Sequence, residues 1–178
     1  MKKRLPIFAA FFMILGFSSI VMSQPFTGNM TSGGKIGKGI SIVETAALHF
    51  GTMTVPTGAV NVILSTTNVR TASIPANITL LAQAPVHQNA AYTVYGDKNN
   101  HYNITLPDDN VVTITSGANH IHVNNFIPHS ASQGIGSFSG KLNLIGEDTF
   151  TVGATLVLSN AQPAGVYTGT FNVTVNYP

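Results

Sequence analysis

His120, His122 and His129 are the residues of this chain best spaced to do chemistry. An i, i+2 pair on an extended segment carries two imidazoles on one face, a spacing at which they can share a metal ion. No carboxylate lies close in sequence to complete a ligand set, and Ile121 between them has the inward parity of an alternating strand. The three are therefore expected on a polar strand face, without a required metal. His49, His87 and His101 are scattered. Of the six acidic residues, four form the adjacent pairs Asp108-Asp109 and Glu147-Asp148. Both pairs are expected in turns, since glycosidic chemistry needs carboxylates facing each other across a cleft. The stretch Gly134-Ile135-Gly136-Ser137-Phe138-Ser139-Gly140 has its third glycine one position late for a dinucleotide fingerprint, so it reads as a mobile loop. There is no Gly-x-Ser-x-Gly elbow, and cysteine is absent, which excludes thiol chemistry and zinc thiolates. The expectation is no catalytic residue, no metal, no cofactor and no enzymatic activity.

Recognition is the other chemistry a chain like this can carry. Carbohydrate-binding surfaces stack sugars on Trp or Tyr, and this chain has no Trp. Tyr95, His101 and Tyr102, beside the loop from Gly96 to Asn100, form the candidate ligand patch. Asn29, Asn77, Asn103 and Asn172 each head an Asn-x-Thr triplet, which chance explains in a chain this rich in Asn and Thr.

The elements that must position these residues are strands. Apolar runs at 48–55, 59–64, 77–81, 91–95, 102–106, 111–115, 121–126, 141–145, 150–158 and 166–177 are separated by Gly, Pro, Asn and Asp clusters, giving about ten strands and no competing helical period. The last run is the longest alternation. Tyr167, Phe171, Val173, Val175 and Tyr177 fall on one parity, and Thr168, Thr170, Asn172, Thr174 and Asn176 on the other. One long terminal strand is expected, with its apolar parity in the core. The fold class is all-β, an antiparallel immunoglobulin-like or pilin-like β-sandwich.

The ends divide the chain. Lys2, Lys3 and Arg4 precede an apolar run from Ile7 to Met22, so residues 1–23 read as a signal peptide cut after Ser23. Its removal leaves five of the eight basic residues against six acidic ones, a net charge of −1, and no basic surface for nucleic acid or anionic lipid. Residues 24–39 are a flexible extension or an added strand. Phe26, Met30 and Ile36 share parity with Ile40 and Ile42 and are the apolar residues such a strand would offer. Residues 40–178 form the β-sandwich domain. The product is expected outside the inner membrane, whether periplasmic, on the cell surface or extracellular, with no integral span.

Three segments, Leu48-His49-Phe50-Gly51-Thr52-Met53, Val152-Gly153-Ala154-Thr155-Leu156 and Ala164-Gly165 through Tyr177, resemble the secreted bacterial domain-of-unknown-function 4402 family, over nearly all of Ile40 to Pro178. The closing strand also resembles those of chaperone-usher pilus subunits and spore coat protein U-type domains, which end with a glycine fourteen residues from the terminus and a penultimate tyrosine. Gly165 and Tyr177 occupy both places. The cysteine pair common in such subunits is absent. The resemblance implies a fimbria-like or coat structural subunit that assembles through β-strand edges, with Gly165, Tyr167, Phe171, Val173, Val175 and Tyr177 on the assembly strand. Implied partners are copies of itself or related subunits, and a periplasmic chaperone. The rival reading is a secreted carbohydrate- or host-surface-binding module, an adhesin, working through Tyr95, His101 and Tyr102.

Overall fold

The computed structural model describes residues 37–178, so the expected signal segment and the candidate donor residues Phe26, Met30 and Ile36 lie outside the described residues. Eleven strands follow in order: β1 (Ser41–Ala46), β2 (Val60–Leu64), β3 (Arg70–Ala72), β4 (Ala90–Tyr95), β5 (His101–Thr105), β6 (Val112–Ser116), β7 (Asn119–Ser130), β8 (Gly134–Ile135), β9 (Ser139–Lys141), β10 (Glu147–Leu158) and β11 (Thr174–Asn176). All pairings between them are antiparallel. A single turn of 3-10 helix, Pro75–Asn77, interrupts the strands. Among the described residues no helix is long and apolar enough to cross a membrane.

The two twelve-residue strands β7 and β10 form the spine of an eight-stranded sheet. One edge of β10 is lined by β7. The other is shared, by β4 along residues 147–152 and by β2 along 154–158. The handover falls at Gly153, where an added Cβ would stand 2.5 Å from the Leu64 carbonyl oxygen, so only glycine lets β2 end against β10. β1 extends the sheet beyond β4, β3 beyond β2, and β6 and β8 occupy successive parts of the far edge of β7. A three-stranded sheet, β11-β5-β9, forms the second layer.

The core follows from parity. Val60, Val62 and Leu64 of β2, Ala90, Tyr92 and Val94 of β4, and Phe150, Val152, Ala154, Leu156 and Leu158 of β10 are all buried, joined from the small sheet by Tyr102, Ile104 and Val175. Burying a Val, Leu, Ile or Phe side chain is worth about 1.5–3 kcal/mol, so this layer is the main stabilising term. Tyr92 stacks on Phe150 across adjacent strands with ring centroids 5.1 Å apart.

Four expectations change. Residues 134–140 are not a loop throughout, because β8 forms there and β9 begins at Ser139. Glu147 and Asp148 begin β10 and are not a turn; Asp148 is buried. The runs at 48–55 and 77–81 form no continuous strand, only the isolated bridges His49–Gln88 and Met53–Leu80, and of the run at 141–145 only Lys141 belongs to a strand. The terminal run keeps its alternation of burial, but ladder pairing is confined to β11 and one bridge, Thr168 with Thr115.

Candidate assembly groove

At one end of the large sheet its inner face and two covering segments enclose a groove. Val112 and Ile114 of β6, Ile121 and Val123 of β7, and Leu156 and Leu158 of β10 form the floor of a 460 Å³ groove. Its walls are residues 48–56 on one side and 162–171 on the other. No Lys, Arg, Asp or Glu lines it. These floor residues are where they are because alternation points them inward, and apolar surface at this position favours an apolar occupant.

The first wall is built by Arg70 of β3. Its guanidinium reaches under the segment and donates to the carbonyl oxygens of Phe50 at 2.7 Å, Thr52 at 3.1 Å and Leu81 at 2.7 Å. Burial lowers the Arg70 pKa from its usual value, but a guanidinium remains charged. Gly51 makes room for it, with φ of +76° and an absent Cβ that would otherwise lie 2.5 Å from Nη1. The shared hydrogen bonds explain why the run from Leu48 to Val55 is no strand. Its carbonyls turn toward one side chain, and the positive φ at Gly51 breaks the pleat. Sequence reading missed Arg70, although the Phe50-Gly51 pair in the motif was the available signal.

The second wall is the terminal run. Thr168 exchanges both backbone bonds with Thr115 on the β6 edge. Among the described residues, no other backbone group from Gly165 to Val173 has a backbone partner. The wall is held by side chains instead. Tyr167 donates from Oη to the Pro163 carbonyl at 2.8 Å and accepts from Gln162 Nε2 at 3.0 Å. The Phe171 ring lies 4.9 Å from that of Phe126. Gly165 is exposed, Phe171 and Val173 are half-buried, and Val175 is buried in β11. A strip of apolar floor beside an unpaired backbone edge is the geometry that accepts an added strand.

The end of the terminal run is fixed through Tyr177, which does not line the groove. The Asp97 amide donates to Tyr177 Oη at 2.6 Å, and that hydroxyl donates on to the Lys38 carbonyl at 3.4 Å. The Lys38 amide in turn donates to Asp97 Oδ1 at 2.8 Å. These bonds tie the last strand, the β4–β5 turn and the lead-in to β1 together.

The candidate ligand patch does not hold together. Tyr102 is fully buried, and its hydroxyl donates at 2.9 Å to Asp148 Oδ2, because its position on β5 has inward parity. Tyr95 and His101 remain exposed. Asp148 also accepts from Ser132 Oγ at 2.6 Å and Ser130 Oγ at 3.2 Å, with the Thr149 amide on Oδ1 at 2.9 Å. Four donors satisfy a buried carboxylate here, and burial followed by the Asp148 charge raises the Tyr102 pKa. His120 and His122 share the outer face of β7, with ring centroids 5.9 Å apart. Among the described residues no group of three or more His, Cys, Asp or Glu side chains is placed to hold a metal ion.

Comparison with curated proteins and with solved structures returns no match. Residues 40–177, which include the groove, both of its walls and the motifs that shape them, match the family described as "Domain of unknown function (DUF4402)", and the chain belongs to that family.

Proposed function

We propose that this chain is a non-enzymatic exported structural subunit of a fimbria-like or coat polymer, assembling through β-strand edges. The observation that carries the reading is the groove, where an apolar floor lies beside a wall whose backbone from Gly169 to Val173 is unpaired among the described residues. An extended segment with alternating apolar side chains would fill the floor and take up those backbone groups together. The proposed donor is residues 24–39 of a neighbouring copy, through Phe26, Met30 and Ile36, and a periplasmic chaperone would occupy the same edge before assembly. The burial of Tyr102 removes one member of the patch on which the rival adhesin reading depends.

The experiment compares the chain from Gln24 with a chain from Ile40, by size-exclusion chromatography and negative-stain imaging. The longer chain is expected to form concentration-dependent oligomers or fibres and the shorter one to remain folded and monomeric. A strictly monomeric longer chain, or equal assembly by both, would overturn the reading.

A further inference from the structure

We propose that His120 and His122 form a two-imidazole site for a square-planar divalent cation of the cupric class, on the outer face of the large sheet. Neither side chain lines the groove, although the His120 carbonyl accepts from Gln162 Nε2 of its second wall at 3.3 Å. Ile121 and Val123, with the opposite parity, are buried and form part of the groove floor, so both imidazoles stand on the other side of β7. His120 is exposed and His122 half-buried. The rings meet at 5.9 Å with an interplanar angle of 75°.

The support beneath them is rigid. His122 sits between Thr113 of β6 and Val157 of β10, and His120 is paired with Thr115. None of these neighbours is charged, so no cation on an adjoining strand repels an arriving metal. Thr113 Oγ1 lies 3.3 Å from His122 Nδ1. When that hydroxyl accepts from Nδ1–H, the Nε2 lone pair is left for a metal, the arrangement by which an outer partner sets the tautomer of a ligating histidine.

The ligand count selects the ion. Structural zinc takes four protein ligands and catalytic zinc three, whereas this face supplies two. Cu²⁺ stands highest in the divalent affinity order, favours imidazole, and completes a square plane with water or with a neighbour's side chain. The site is independent of folding, because the core lies on the opposite face.

The test titrates the chain from Gln24 with cupric chloride. Its free amino terminus is also a copper ligand, so the readouts are specific to imidazole: broadening of individual histidine ring signals in NMR, and the remote-nitrogen couplings in pulsed EPR. The expected result is preferential broadening of His120 and His122 and a two-imidazole EPR pattern. His120→Asn or His122→Asn should abolish that pattern and weaken binding at this site at least tenfold, while His129→Asn changes neither. Retention of the pattern and affinity in His120→Asn, or broadening centred on other histidines, overturns the proposal.

Discussion

Arg70 Nη1 stands where a side chain on Gly51 would have to go, 2.5 Å from the position of an added Cβ. The two residues are nineteen apart in sequence and make one wall of the groove between them. Arg70→Met removes three hydrogen bonds from a charged donor and leaves the Phe50, Thr52 and Leu81 carbonyls without it. The expected loss is about 3 kcal/mol or more in denaturant unfolding. Arg70→Lys should recover only part of it, since an ammonium lacks the planar fork. Gly51→Ala, strained at positive φ, should destabilise as well.

The terminal run discriminates by parity. Val175→Asp places an unpaired charge in the core and is expected to cost about 4 kcal/mol or more, preventing folding in a marginal background. Thr174→Asp, on the exposed face of the same short strand, should stay within about 0.5 kcal/mol. Thermal unfolding of the pair checks the assignment. Equal losses would mean that β11 does not pair with β5 in the register Val175–Ile104.

Alkaline pH should weaken the fold through Tyr92 and Tyr102. Burial, with Glu44 second, pushes the Tyr92 hydroxyl up to about 12, and Tyr102 is also raised. Below pH 10 both hydroxyls are protonated in folded and unfolded chains, so they add no pH dependence. Above pH 10 the unfolded chain releases protons that the folded one retains. Stability therefore falls, by about 1.4 kcal/mol per pH unit for each tyrosine. Urea unfolding between pH 9 and 12 should show the decline, and Tyr92→Phe should make it shallower.

Replacing His120, His122 and His129 together with Gln should leave unfolding free energy within about 0.5 kcal/mol of the parent. Circular dichroism melts with and without a chelator measure this. A large drop on chelation, restored by zinc, would show that a metal holds the fold.

Alternation made much of the sandwich legible. Ile121 has inward parity in the sequence, and the apolar runs at 91–95, 121–126 and 150–158 fall in β4, β7 and β10, where Tyr92, Val94, Val123 and Phe150 are buried. Where long-range hydrogen bonding decided the outcome, the pattern misled. The run at Leu48 is apolar enough for a strand, yet Arg70, twenty-two residues later, takes its carbonyls. Asp148 looks like a turn residue beside Gly146, but three hydroxyls from Tyr102, Ser130 and Ser132 make its burial tolerable. The groove was not legible at all. Ile114, Ile121 and Leu158 read as ordinary core positions, because a sequence states which way a side chain points and not how closely the segments over it fill the space.

The bonds joining Tyr177, Asp97 and Lys38 also determine how the molecule carries mechanical load. A pull on the chain ahead of Gly37 first meets this knot, which hands part of the force to the last strand and the β4–β5 turn. Any load along the axis of β1 meets bonds to β4 that lie across that axis. A ladder loaded along its strand axis yields in shear, with its bonds sharing the force, whereas one loaded across its strands opens one bond at a time. Tension applied along β1 would be shared between the β1–β4 ladder and the bonds joining Tyr177, Asp97 and Lys38.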